Sequence, residues 1–303
     1  MVFPFRNILF PTDFSANAQA ALKYAAAFAR HGGGRVVLFN VQDGRASGDL
    51  RPQMDELASD PLLKGVDTEH CVVEGERPSE IAQAAVDHDI DLITVVMRGR
   101  NRLSLPFVSS MAEDIIAESP CAVLAVRPPQ RDFVAQNDGE MEIQLRRVLL
   151  ATNFRPSSVA ATQLATQIAN QLGAELHAVY VIGDYFEQIS AMFPEGGLAA
   201  LTRLRSYVQE RMAQLSRTGG AGMATHIVEG RPYQEIVKLA DTLQADLIVI
   251  GTAVHGSLFG SSQVLGSEIE RVIRNAPCPV LCVPAARVVT PLPALVTQVV
   301  PQM

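Results

Sequence analysis

No block of basic residues occurs in this 303-residue sequence, whose 25 Lys and Arg against 32 Asp and Glu leave a net charge of −7. Binding to a nucleic-acid backbone rests on clustered positive charge, so that class of partner is not expected. No apolar run reaches membrane-spanning length, so no membrane partner is expected either. The N-terminus has no signal-peptide layout, because Arg6 and Asn7 interrupt it before a long apolar region can form. A cytoplasmic protein is the resulting expectation. Cysteine is scarce. Cys71, Cys121, Cys278 and Cys282 form no C-x-x-C pair, and no histidine cluster accompanies them. That spacing argues against a disulfide framework and against a bound metal. Cys121 and Cys278 each follow a proline just before an apolar run, which reads as a small buried hydrophobe.

What is present is apolar residue, 48% of the chain, in a length that suits two ordinary domains. Short apolar runs bounded by turn residues alternate with stretches of helical periodicity, the pattern of parallel strands buried on both faces by crossover helices. In the first half, strands are predicted at Ile8–Phe10, Val36–Val41, Glu69–Val73, Leu92–Val96 and Ala122–Val126. Helices are predicted from Ser15 to Gly32, around Met54–Ala58, from Pro78 to His88, and from Ser110 to Glu118. His88 reads as an ordinary helix-end residue. Residues 128–144 carry prolines, Gly139 and mixed polar groups, and read as a linker.

The same order then repeats. Val148-Leu149-Leu150 matches Ile8-Leu9-Phe10, Thr152-Asn153-Phe154 matches Thr12-Asp13-Phe14, and Pro277-Cys278 matches Pro120-Cys121. The second half inserts a longer helix with Leu201, Leu204, Val208, Met212 and Leu215 on one face. The expected organisation is a first domain over residues 1–128, a linker over 129–144, a second domain over 145–286 and an apolar tail over 287–303. Right-handed crossovers then give two tandem doubly wound parallel sheets of Rossmann-like type.

Ligands of such sheets sit beyond the carboxyl ends of the strands, where strand order reverses. In the second half the stretch after strand four is rich in glycine: Gly251, Gly256, Gly260 and Gly266, with Ser267 placed to cap a helix and Glu270 three residues on. Strand, glycine loop and helix start together can hold a phosphate group through bare main-chain N–H groups. No lysine lies near the loop, so it is not a Walker site.

These residues resemble the universal stress protein family in its tandem two-domain form. The resemblance rests on Ile8-Leu9-Phe10-Pro11-Thr12-Asp13-Phe14-Ser15, on Gly256-x9-Gly266-Ser267 and on Ala276-Pro277-Cys278-Pro279-Val280. It implies five-stranded parallel sheets of order 3-2-1-4-5, with Ala122–Val126 and Val280–Val283 pairing antiparallel across a pseudo-two-fold axis. It also implies a site for ATP, with Mg²⁺ on its phosphates, in those members that keep a G-x2-G-x9-G-[ST] pattern. Carried onto the second half, the site comprises Thr152, Asn153, Val181, Gly251, Thr252, Gly256, Gly266, Ser267 and Glu268. Four residues separate Gly251 from Gly256 where the family pattern has two, and Asn153 stands where that pattern has Asp. The first half keeps Asp13 and Val41 but has lost two of the three glycines, and Arg98, Arg100 and Arg102 crowd its loop. One nucleotide at most is therefore expected, in the second domain.

The leading expectation is an ATP-binding stress-response protein that senses or scaffolds, as a homo-oligomer or with a protein partner. An interaction protein that has lost its nucleotide is the alternative. A weak nucleotide hydrolase is a third reading, with His255 and Glu268 as the candidate bases and no orienting partner for either.

Overall fold

The computed structural model describes residues 3–16, 18–42, 49–97, 111–137, 140–184, 194–218, 222–252, 254–256 and 263–285. The tail, the arginines at 98, 100 and 102, and Gly260 lie outside the described residues.

The first half runs β1 (Asn7–Pro11), α1 (Gln19–Gly32), β2 (Arg35–Gln42), α2 (Arg51–Ala58), β3 (Asp67–Glu74), α3 (Arg77–Asp87), β4 (Leu92–Val96), α4 (Met111–Glu118) and β5 (Ala122–Val126). The second runs β8 (Arg147–Ala151), α5 (Pro156–Leu172), β9 (Glu175–Gly183), α6 (Pro194–Thr218), β10 (Ala224–Gly230), α7 (Pro232–Thr242), β11 (Leu247–Thr252), α8 (Ser267–Asn275) and β14 (Val280–Pro284). Each set of five strands is parallel in the order 3-2-1-4-5. The last strands, β5 and β14, pair antiparallel with Val280 opposite Ala125 and Cys282 opposite Val123, which joins both sets into one ten-stranded sheet.

Alternation along the strands builds two cores. Ile8, Phe10, Val148 and Leu150 face one layer, formed by α1, α2, α5 and α6; Leu9, Leu149, Ile248 and Ile250 face the other, formed by α3, α4, α7 and α8. Cys121, Cys278 and Cys282 are buried among these apolar side chains, and burial pushes the Cys278 thiol up to about 12. Helices α1 and α5 stop at Gly33 and Gly173, whose φ values of 61° and 67° lie in the left-handed region that glycine enters without a Cβ clash.

Three local expectations need correction. Residues 134–143 are not featureless: β6 (Val134–Asn137) and β7 (Glu140–Ile143) form an antiparallel hairpin, anchored by buried Phe133 and Met141 against α1. Ser15 does not cap α1. The helix begins at Gln19 with Ala18 as its N-cap, and Ser15 instead donates its N–H to the Asp13 carboxylate at 3.0 Å. Ser267 is likewise the first residue of α8 rather than its cap. Gly266 takes the N-cap position, no side chain caps it, and Glu270 donates its N–H to the Gly266 carbonyl as in an ordinary first turn.

Polar contacts lock the two halves together. The Arg274 guanidinium on α8 meets the buried Glu113 carboxylate on α4 at 2.6 Å and Glu270 at 2.9 Å. Arg131, just before the hairpin, bonds Asp241 at 3.1 Å and the carbonyls of Ala240 and Ala245. Asp132 beside it pairs with Lys23 and accepts from the Tyr24 hydroxyl. The joining segment is thus a brace between α1 of one half and α7 of the other.

Candidate functional site

Strands one and four are neighbours in each half, β1 beside β4 and β8 beside β11, so each half has a crevice at its switch point. The two crevices differ in how the helix after strand one begins.

In the second half α5 starts at Pro156, and its first turn presses onto the end of β11. A Cβ added at Gly251 would lie 2.3 Å from the Ser157 carbonyl oxygen and 2.8 Å from the Ser158 nitrogen. Only glycine admits that approach, so Gly251 is required by helix–strand packing whatever else it contacts. Of the loop beyond it, two short strands are described. Val254–Gly256 (β12) and Gln263–Leu265 (β13) pair as an antiparallel hairpin, with Val254 opposite Leu265 and Gly256 opposite Gln263. Thr252 is buried in strand register with Pro284. Asn153 is exposed, and its Oδ1 accepts both the Ser158 hydroxyl at 2.7 Å and the Arg155 N–H at 3.1 Å. Thr152 donates its N–H to Val179, and its Oγ1 accepts from Phe154. Val181, one strand over, is half-buried in the core on the crevice side of the sheet.

At the start of α8 the picture is more open. Gly266 has φ −61° and ψ 135°, values any residue adopts, and among the described residues the nearest neighbour of an added Cβ would be Ile269 at 3.8 Å. Neither its backbone conformation nor those neighbours demand glycine there. Ser267 is exposed, and no side-chain cap is present among the described residues. Glu268 turns to a neighbouring helix. Its carboxylate accepts the Tyr233 N–H of α7 at 3.0 Å and pairs with Arg271 at 3.3 Å, while the Arg271 guanidinium lies over the Tyr233 ring. Glu268 thus caps a neighbouring helix. The side chain of His255 lies outside the described residues.

The first half departs from expectation. Val96 holds the place that Gly251 holds in the second half, and α1 begins only at Gln19. Between them lies a cavity of about 330 Å³, with Thr12 and Asp13 at one wall, Val41 and Val95 at its floor, and Met111 and Ala112 of α4 opposite. Arg77, at the start of α3, also reaches it. The residues that face this space are mostly apolar with a few polar groups at the rim, the usual make-up of a small-molecule site. Sequence reasoning passed over it because it looked for glycines. The available signal was Val96, too large for the close helix approach made at Gly251 in the other half. His88, as expected, is an ordinary helix-end group, 3.5 Å from the Glu69 carboxylate.

The model of the universal stress protein family matches residues 4–127 and again residues 144–284. This chain belongs to the universal stress protein family, in tandem form. Universal stress protein E of Photorhabdus laumondii is 22% identical over 303 residues, covering 92% of this chain and 95% of that one. A universal stress protein of Methanocaldococcus jannaschii is 34% identical over 148 residues, which is 46% of this chain and 81% of that protein. Among solved structures, a universal stress protein from Archaeoglobus fulgidus shares the fold with a TM-score of 0.62 at 23% identity, over 92% of this chain and 98% of that one. The doubled family match and the ten-stranded sheet agree. No helix among the described residues is long and apolar enough to cross a membrane.

Proposed function

We propose that this universal stress protein is a nucleotide-responsive cytoplasmic scaffold whose second domain, residues 145–286, holds ATP at the start of α8. The observation that carries this reading is the start of α8: among the described residues nothing crowds a Cβ at the N-cap Gly266, Ser267 is exposed, and no side-chain cap is present. Such a helix start favours phosphate oxygens through its oriented amides and the positive end of the helix dipole. In this reading Val181 and Asn153 border the base and nucleoside, and Gly251, Thr252 and Gly256 fix the path of the loop. Glu268 steadies the site through α7. Mg²⁺ arrives on the phosphates, whose charge no lysine of the loop neutralises. Ordering of the loop by nucleotide then shifts an oligomeric or partner-binding equilibrium.

A second reading is favoured by the 330 Å³ cavity of the first domain. Asp13 and Val41 border it, and these are the positions at which the family resemblance implies adenosine contacts. A nucleoside or mononucleotide would suit its apolar body better than a triphosphate, since the glycines that admit a phosphate chain are missing there.

Calorimetric titration with Mg-ATP separates the readings. Ser267→Pro removes one amide donor at a helix position where proline is tolerated, next to a Gly266 whose ψ of 135° suits a following proline. Loss of roughly tenfold or more in affinity in this variant supports the second-domain site, at the usual worth of a hydrogen bond to a charged group. Loss in Val41→Trp alone moves the site to the first domain. No heat of binding at about 1 mM ATP would leave an interaction protein without nucleotide, since that corresponds to about 4 kcal/mol of binding free energy.

A further inference from the structure

The outer part of the second domain's sheet carries a pair of imidazoles that the nucleotide reading does not use. His177 on β9 and His226 on the edge strand β10 are stacked at 5.4 Å between centroids, with His177 Nδ1 3.1 Å from His226 Nε2. On the other side of the His177 ring, Nε2 lies 3.7 Å from the Glu175 carboxylate. Glu175 in turn pairs with Arg147 of β8 at 3.1 Å, and Arg147 and His177 together hold its carboxyl below the usual range. The result is a polar chain, Arg147–Glu175–His177–His226, running across three strands toward the sheet edge.

The proton count of this chain is limited. With both rings neutral, one N–H sits between the two facing nitrogens and the other nitrogen accepts it. A first added proton leaves the same arrangement, now with an imidazolium beside Glu175. A second would set two N–H donors against each other at the 3.1 Å contact, with two positive charges on stacked rings. We propose that the His177–His226 pair is an acid sensor, and that uptake of a second proton opens the β9–β10 pairing at the edge of the second domain.

Among the described residues, the other charged groups near the pair are already paired. On α7, which covers this face, Lys238 pairs with Glu235 and Asp241 with Arg131. Glu229 of β10 points to the other face, where Arg205 of α6 takes it at 2.8 Å. Burial first, and the charge of His177 second, lower the His226 pKa from its ordinary value of 6.5. The sign follows from linkage. In the unfolded chain His226 takes its proton near 6.5, and in the folded pair it does so only at lower pH. Stability present above 6.5 is therefore lost as pH falls below it. Among the described residues the first domain holds no such pair of facing imidazoles; on its edge strand His70 lies 3.7 Å from Asp55 and Glu69 lies 3.5 Å from His88. Val37 and Cys71 occupy the corresponding positions.

Amide hydrogen exchange on the full chain tests this. Protection factors for residues 224–230 are compared with those for 67–74, the matching edge strand of the first domain, at about pH 7.5 and about pH 5. A fall of about tenfold or more confined to 224–230, the equivalent of one pKa unit, is expected. The fall should vanish in His226→Gln, whose amide can still donate to His177, and in His177→Val, which installs the first-domain residue. Equal behaviour of both edges, or an undiminished acid response in either folded variant, would overturn the proposal.

Discussion

The two halves of this chain share a strand order, a capping glycine and a turn, yet their crevices are built differently. In the first, Val96 ends strand four, α1 starts late, and a cavity remains between Asp13, Val41 and α4. In the second, Gly251 ends strand four, α5 starts at Pro156, and the helix backbone fills the space where a side chain would have gone. One residue's Cβ decides whether a helix start can touch a strand end. The lesson is that glycine near a phosphate loop has two readings, ligand approach and helix approach. Gly251 answers to the second, while Gly266, uncrowded by the described residues, leaves the first open.

Exchanging residues between the halves should break the comparison in graded steps. Arg274→Ala, which installs the residue found at Ala117, should cost most. It withdraws the guanidinium from a Glu113 side chain only 4% exposed, a loss of about 3 kcal/mol or more, read as a fall in the urea midpoint. An unchanged midpoint would mean that the Arg274–Glu113 contact adds nothing to what the β5–β14 pairing and the Arg131 brace already supply. Gly251→Val, which copies Val96, forces a Cβ against the Ser157 carbonyl; about 2 kcal/mol is expected from overpacking, together with faster exchange of the α5 first-turn amides. If the variant is as stable as the parent, the glycine is there for a ligand and the packing account fails. Glu268→Met, which copies Met111, removes the carboxylate that accepts the Tyr233 N–H, for about 1 kcal/mol by the usual worth of a helix cap. Its signature should be earlier fraying of α7 in hydrogen exchange, with α8 itself unaffected.

The repeat, the parallel strand order and the helices on both faces were legible because period and punctuation carry them. Ile8 and Leu9 point to opposite cores, Pro78 and Pro232 sit in first helical turns, and Gly173 stops α5. Capping was misjudged at both Ser15 and Ser267, because a one-residue or three-residue shift in helix start changes which group does the capping and leaves no trace in periodicity. The hairpin at 134–143 was missed because Phe133 and Met141 read as isolated apolar residues until α1 supplies the surface they cover. Glu268 reads in sequence as a helix-start charge or a candidate base, and in the fold it accepts the N–H of Tyr233, 35 residues earlier.

What the sequence determined by itself was local and repeated: which segments alternate, where they stop, and that the whole is done twice. Such features depend on neighbours a few residues apart, which the order of side chains records directly. Tertiary structure alone decided which crevice stays open, which glycine meets a helix, and that His177 and His226 come to share one proton. Those outcomes turn on distances of a few ångströms between segments far apart in the chain, where one side chain more or less changes what can approach.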